Sequence, residues 1–126
     1  MVNVARLAAL TEQEFSDIVE STSVIRGKLR VILTDASFVD FWWSTEIEGR
    51  FACHWERRHV DGRFFRHDNM PHAQWKNIKT FPKHFHDGDT GEIIESFLAE
   101  DPENAVREFL AYAQKKIDRR LNDFHF

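Results

Sequence analysis

Cysteine is nearly absent from this 126-residue chain: Cys53 stands alone, with no motif around it. A single thiol excludes an intrachain disulfide and suits a reducing compartment. No phosphate-binding glycine loop appears, and no serine or cysteine nucleophile signature. The start, MVNVARLAAL, lacks the basic region and long apolar run of a signal peptide. No apolar stretch approaches the length of a membrane span. These absences lead us to expect a cytoplasmic protein with no membrane partner. Prolines number only three, and two of them, Pro71 and Pro82, fall within one stretch.

Aromatic residues are abundant by contrast. Twelve Phe and four Trp, within a 42% hydrophobic content, can fill the core of one domain spanning residues 1–126. The net charge of -4 is unevenly spread. From Arg50 to His86 eight bases face three acids; from Asp87 to Glu108 eight acids face Arg107 alone. A basic centre beside an acidic segment can meet a polyanion or a charged protein partner, although each charge taken singly reads as part of a solvated face.

Periodicity divides the chain into a platform and two helices. Residues 11–22, TEQEFSDIVEST, open with a capping-box pattern, Thr11 with Glu14, and carry a helical stripe of Phe15, Ile18 and Val19. In VIRGKLRVILTD, Ile25, Leu29, Val31 and Leu33 share one parity and Arg26, Lys28 and Arg30 the other, which is a strand with one wet face. SFVDFWWSTEI, RFACHWERRHV and RFFRHD give further strands, with Asp61-Gly62 as a hairpin signal. After a polar turn at 87–91, Ile93, Ile94, Phe97 and Leu98 form a brief helical or extended piece. A last helix starts at Asp101-Pro102. Its stripe is Val106, Phe109, Leu110, Ala113, Ile117 and Leu121, and Lys115, Lys116, Arg119 and Arg120 complement its dipole. The expected fold is α+β: an antiparallel meander of about four strands with both helices on one face.

The stretch from Arg66 to His86, RHDNMPHAQWKNIKTFPKHFH, holds four of the seven histidines. It reads as a long loop pinned by Trp75, Ile78, Phe81 and Phe85, and loops of that length in a compact domain are usually functional. His84 and His86 would share a face if extended, spaced to chelate one ion, with His72 and Asp68 to complete the set. Alternatively two imidazoles act as acid and base on RNA, with a cation to stabilise the phosphorane. His72, His84, His86, Asp68 and Arg66 are the candidate catalytic residues; Asn69, Lys83 and Arg63 are the candidate substrate contacts. Nearby cations would repel a dication and attract a phosphate, so metal-free chemistry is expected, with zinc or another divalent metal as the alternative. Taken one at a time, each residue has a plainer role: Asp68-Asn69 as an Asx turn, the prolines as stiffeners, His54 and His59 as packing or surface residues. His67 ends a strand, and His125 sits in a tail.

Several phrases resemble the TumE family of toxins from type II toxin–antitoxin pairs: LRVILTDASFVDF, the hairpin around DGR, RHDNMPH and TFPKHFHDGD. The resemblance covers roughly residues 17–90 and rests on Asp68-Asn69-x-Pro71-His72 and Thr80-Phe81-Pro82-x-His84-x-His86. Members of that family often carry a second histidine after the Pro-His pair, where this chain has Ala73. The acidic segment and the last helix lie beyond the similar block. The resemblance implies a toxin directed at RNA and neutralised by a helix-turn-helix antitoxin protein; homodimerisation is left open. The alternative is a non-catalytic module whose histidine-rich loop grips a protein or nucleic acid.

Overall fold

The structure is a computed structural model that describes residues 1–123, with side chains to residue 119. Arg120 and Leu121 therefore lie outside the described side chains, and His125 outside the described residues. The first helix, α1, is Val4–Glu14, and Asn3 caps it by accepting from the Arg6 amide at 3.0 Å. This corrects the helix expected over 11–22. The alanine- and leucine-rich segment after Asn3 has the stronger helix propensity, and the β-branched run from Val19 favours an extended chain. Thr11 lies buried inside α1, and Phe15 and Ile18 still enter the core after the helix has ended.

Seven strands follow: β1 (Val19–Ile25), β2 (Lys28–Leu33), β3 (Phe38–Trp43), β4 (Phe51–Arg57), β5 (Arg63–Asp68), β6 (His84–His86) and β7 (Ile93–Glu95). They form one antiparallel sheet in the order β1-β2-β3-β4-β5-β6-β7. The meander is as expected, but the count of about four is too low. Arg26 and Gly27, at φ 51° and 79°, make a two-residue turn that splits one expected strand into β1 and β2. The strands β6 and β7 have three residues each, too few to display a period of two. A single helical turn, α2 (Arg58–Asp61), joins β4 to β5 and ends on Gly62.

The last helix, α3 (Pro102–Asp123), begins where the sequence places it, with the Asp101 carboxylate accepting from the Asn104 amide. Val106, Phe109, Leu110, Ala113 and Ile117 are buried against the sheet. Arg107 ties α3 to α1 through Glu14. The core lies between the two helices and one sheet face: Leu29, Val31 and Leu33 from β2, Val39 and Phe41 from β3, Cys53 and Trp55 from β4, and Phe65 from β5. Each large side chain so buried contributes roughly 1.5–3 kcal/mol. Among the described residues no helix is long and apolar enough to cross a membrane.

One charge is built into this platform. Arg57, 2% exposed, donates to Asp35, Asp61 and Ser37 and lies 4.7 Å over the Trp55 ring. Burial pushes the Asp35 carboxyl up, but hydrogen bonds from Ser37 and Arg57 outweigh it and leave the group below its ordinary 3.8. Removing one partner of a buried pair strands the other, so Arg57→Ala should cost about 3 kcal/mol in urea unfolding. The sign of the pH effect follows. Asp35 binds protons more weakly folded than unfolded, so its stabilisation is full above its ordinary value and fades as pH falls through the lowered one. That acid limb should be shallower in Arg57→Ala than in the parent chain.

Candidate functional site

The strands β5 and β6 pair in a register that sets Asp68 opposite His84 and Arg66 opposite His86. Alternation sends Phe65, His67 and Phe85 toward α3, where they meet Tyr112 and Phe109. Arg66, Asp68, His84 and His86 therefore share the other, polar face. The stretch expected as one long loop is thus strand at both ends, and only residues 69–83 cross between them.

Asp68 is the centre of the group and is 4% exposed. Its Oδ2 accepts from Arg66 Nε at 2.9 Å, and its Oδ1 accepts from the Met70 amide at 3.0 Å. His84 Nε2 lies 3.2 Å from Oδ1, and His86 Nε2 lies 3.7 Å from Oδ2. The His84 contact has ion-pair distance but not hydrogen-bond direction, and Nε2 is buried without a hydrogen-bond partner. The other ring nitrogen, Nδ1, is 2.8 Å from the Pro82 carbonyl oxygen, which can only accept, so Nδ1 carries the hydrogen. Trp75, in a short 3₁₀ turn (Ala73–Trp75), lies against both rings, with centroids 6.0 Å from His84 and 6.2 Å from His86. Asp68, His84 and His86 each offer a ligand atom, all within 4.8 Å of one another, so this trio could hold a metal ion.

The polar face continues across the sheet. Strand register aligns Arg30, Asp40, His54, Arg66 and His86 in one row. His54 joins Arg66, 3.3 Å from Nδ1, to Glu56, 3.1 Å from Nε2. Its ring stacks on Phe64, which also borders His86. Sequence reasoning set His54 aside as packing or surface; the helical turn α2, where a tight Asp61-Gly62 hairpin was expected, shifts the register so that His54 opposes Arg66. Beside this row lies an open depression of about 550 Å³, lined by Lys28, Arg30, Phe38, Trp42, His54 and Arg66 among others. A larger cavity, about 930 Å³, lies near the start of α1 and is lined by Glu46, Glu48 and Glu103 but no imidazole.

Of the expected catalytic residues, the structure brings Asp68, Arg66, His84 and His86 together. His72 is exposed at the entry to the 3₁₀ turn, and the cluster contains no atom of it. The three expected substrate contacts have structural partners. Asn69 accepts from the Phe51 amide at 3.0 Å and donates to the Gly49 carbonyl at 2.8 Å. Lys83 donates to the Leu98 carbonyl, and Arg63 pairs with Asp89, which also holds Lys116 of α3.

The electrostatics separate the histidines. Burial, then His84 and Arg66, hold His86 below its ordinary 6.5 against the pull of Asp68. His54 is also lowered, by burial first and then by Arg66 against Glu56. His67 is half-buried on the core face of β5. Burial and then Lys83 bring it down to about 3, its ring stacks on Phe85 at 4.3 Å, and Nδ1 lies 2.7 Å from Ser96 Oγ. Burial also pushes the Cys53 thiol up, which makes it a poor nucleophile.

The family model described as Toxin TumE matches residues 6–120. The chain belongs to the TumE toxin family. That match takes in α1, the acidic segment and nearly all of α3, so these are family features and not additions beyond a block at 17–90. No curated protein and no solved structure matches the chain. The Asn69 clamp yields a prediction for this TumE-family chain. Asn69→Ala leaves the Phe51 amide and Gly49 carbonyl without their partner and should cost about 2 kcal/mol in urea unfolding, with an unchanged m value.

Proposed function

We propose that the chain is the toxin component of a toxin–antitoxin pair and that it cleaves RNA on the polar face of its sheet. The observation that carries this reading is the double position of Arg66. The same guanidinium lines the open depression and holds the carboxylate of the histidine cluster. A strand of RNA lying in the depression meets Lys28, Arg30 and Arg66 with its phosphates and the ring of Trp42 with its bases. Phosphate contacts and base stacking of this kind bind single strands with little sequence preference. The acids of that surface, Asp40 and Glu56, are each paired with an arginine, Arg30 and Arg58.

The phosphodiester then sits beside Arg66, with His86 at the solvent edge of the cluster. His86 is 23% exposed at the side chain, within reach of a ligand, whereas His84 is 1% exposed and positioned by Pro82. His86 is the group placed to exchange a proton with substrate or water, Arg66 the group placed to stabilise the phosphorane, and Trp75 a cover that excludes water. An antitoxin protein that covers this face would silence it; we assign that role to a helix-turn-helix protein encoded alongside, to be checked by co-purification from the two-gene operon.

The test is cleavage of single-stranded RNA by purified protein, paired with growth inhibition on induction. His86→Ala and Asp68→Asn should lower the cleavage rate by about 100-fold or more, the usual scale of acid–base assistance. Arg66→Ala should lower cleavage and weaken the salt dependence of binding. His72→Ala should stay within about threefold of the parent chain. Full activity in His86→Ala and Asp68→Asn would refute the assignment.

A further inference from the structure

We infer that Asp68, His84 and His86 form a binding site for one divalent transition-metal ion of the zinc class. The inference rests on the reading of this cluster as the reactive centre and names what completes it.

The first argument is geometric. Tetrahedral ligands at zinc-like bond lengths of 2.0–2.2 Å stand about 3.4 Å apart. The nitrogen-to-oxygen distances in the cluster, 3.2 Å from His84 to Oδ1 and 3.7 Å from His86 to Oδ2, lie near that value, each to a different oxygen of the one carboxylate. All three donor atoms lie within 4.8 Å of one another.

The second argument is independent and concerns one atom. His84 donates its Nδ1 hydrogen to the Pro82 carbonyl, so the form of the ring that can bind a metal presents its lone pair at Nε2. That atom is buried, has no hydrogen-bond partner, and faces a carboxylate oxygen. A buried nitrogen without a hydrogen-bond partner beside a carboxylate is a position that a cation between the two would satisfy. A ring N–H given to a backbone carbonyl is also the usual support of a metal-ligating histidine. Asp68 is supported in the same manner, by the Arg66 guanidinium on one oxygen and the Met70 amide on the other.

Charge no longer opposes the ion as the sequence suggests. Lys83 gives its ammonium to the Leu98 carbonyl, and Arg66 is held against the carboxylate. Two imidazoles and one carboxylate suit zinc, manganese, iron, cobalt or nickel better than magnesium or calcium. Three protein ligands leave a coordination position for water, on the side where His86 is partly exposed. Such a water would be acidified toward neutral pH and would supply the nucleophile for phosphodiester hydrolysis; with the ion bound His86 would be a ligand, and this water, in place of its imidazole, would exchange the proton.

The experiment strips the purified full chain with a chelator, removes the chelator, and titrates it with Zn²⁺ and separately with Co²⁺. We expect uptake of one ion per chain by elemental analysis. Melting temperature should rise by roughly 5–10 °C at ion concentrations well above Kd. The cobalt form should show the visible d–d bands of a low-coordinate site. His86→Ala, altered at the partly exposed ligand, should remain folded by circular dichroism and lose affinity by about 100-fold. His72→Ala should bind as the parent chain does. Absence of uptake by the stripped parent chain, unchanged affinity in His86→Ala, or an equal loss in His72→Ala would overturn the site. Ion binding without RNA cleavage would uphold the site and remove the RNA reading. RNA cleavage by a stripped chain that takes up no ion would do the reverse.

Discussion

Asp68 is a carboxylate taken almost wholly out of water, and an isolated charge in that position would cost several kcal/mol. The surroundings answer that requirement. Arg66 supplies charge from two residues back on the same strand, and the Met70 amide supplies a hydrogen bond from two residues on. His84 and His86 arrive from the neighbouring strand in a register that leaves no freedom, because a slip of one residue would turn both imidazoles into the core. Phe85 prevents that slip from the other side, since it is packed among Phe65, His67 and Tyr112. The geometry of a polar cluster is thus fixed by aromatic packing on the opposite face of the sheet.

The same division of labour runs through the whole meander. One face carries the core and both helices, and the other carries an ordered row of alternating charges and imidazoles. Charges on the polar face are held in pairs or networks, and at Arg57 such a network enters the interior. The two long helices, α1 and α3, pack on the core face of the sheet. They seal the platform, and Arg107 with Glu14 locks one helix to the other.

Much of this could be read from the residues, for reasons that differ by element. The alternation in Leu29, Val31 and Leu33 marked a half-buried strand because side chains in a strand have a period of two. Asp101-Pro102 marked a helix start because cap chemistry is local. The strands β6 and β7 were missed because three residues carry no periodic signal, and their pairing is imposed by partners distant in sequence. The helix over 11–22 was misplaced because a capping-box pattern competed with a stronger start at Asn3. In the site, Asp68, Arg66, His84 and His86 were legible as a group because they flank one segment. His72 shares that segment but not its geometry, since the chain turns away at Pro71 and the 3₁₀ turn. Asn69 and Lys83 were read as substrate contacts, and each also satisfies backbone groups, which composition does not reveal.

Because β5 and β6 are consecutive strands, all four cluster residues come from one contiguous segment closed by the connection 69–83. Loop-closure entropy for such a segment is modest, and contacts of this kind form early in folding. The strands β1 and β2 lie at the far edge of the sheet, several strands away from the cluster. The two ends of the molecule are therefore separable in evolution. Change in β1 acts at the outer edge of the sheet, whereas change in β2, which carries Lys28 and Arg30, reaches the depression that Arg66 also lines. A lineage could remodel the outer strand β1 while the segment from Arg63 to Glu95 stays as it is.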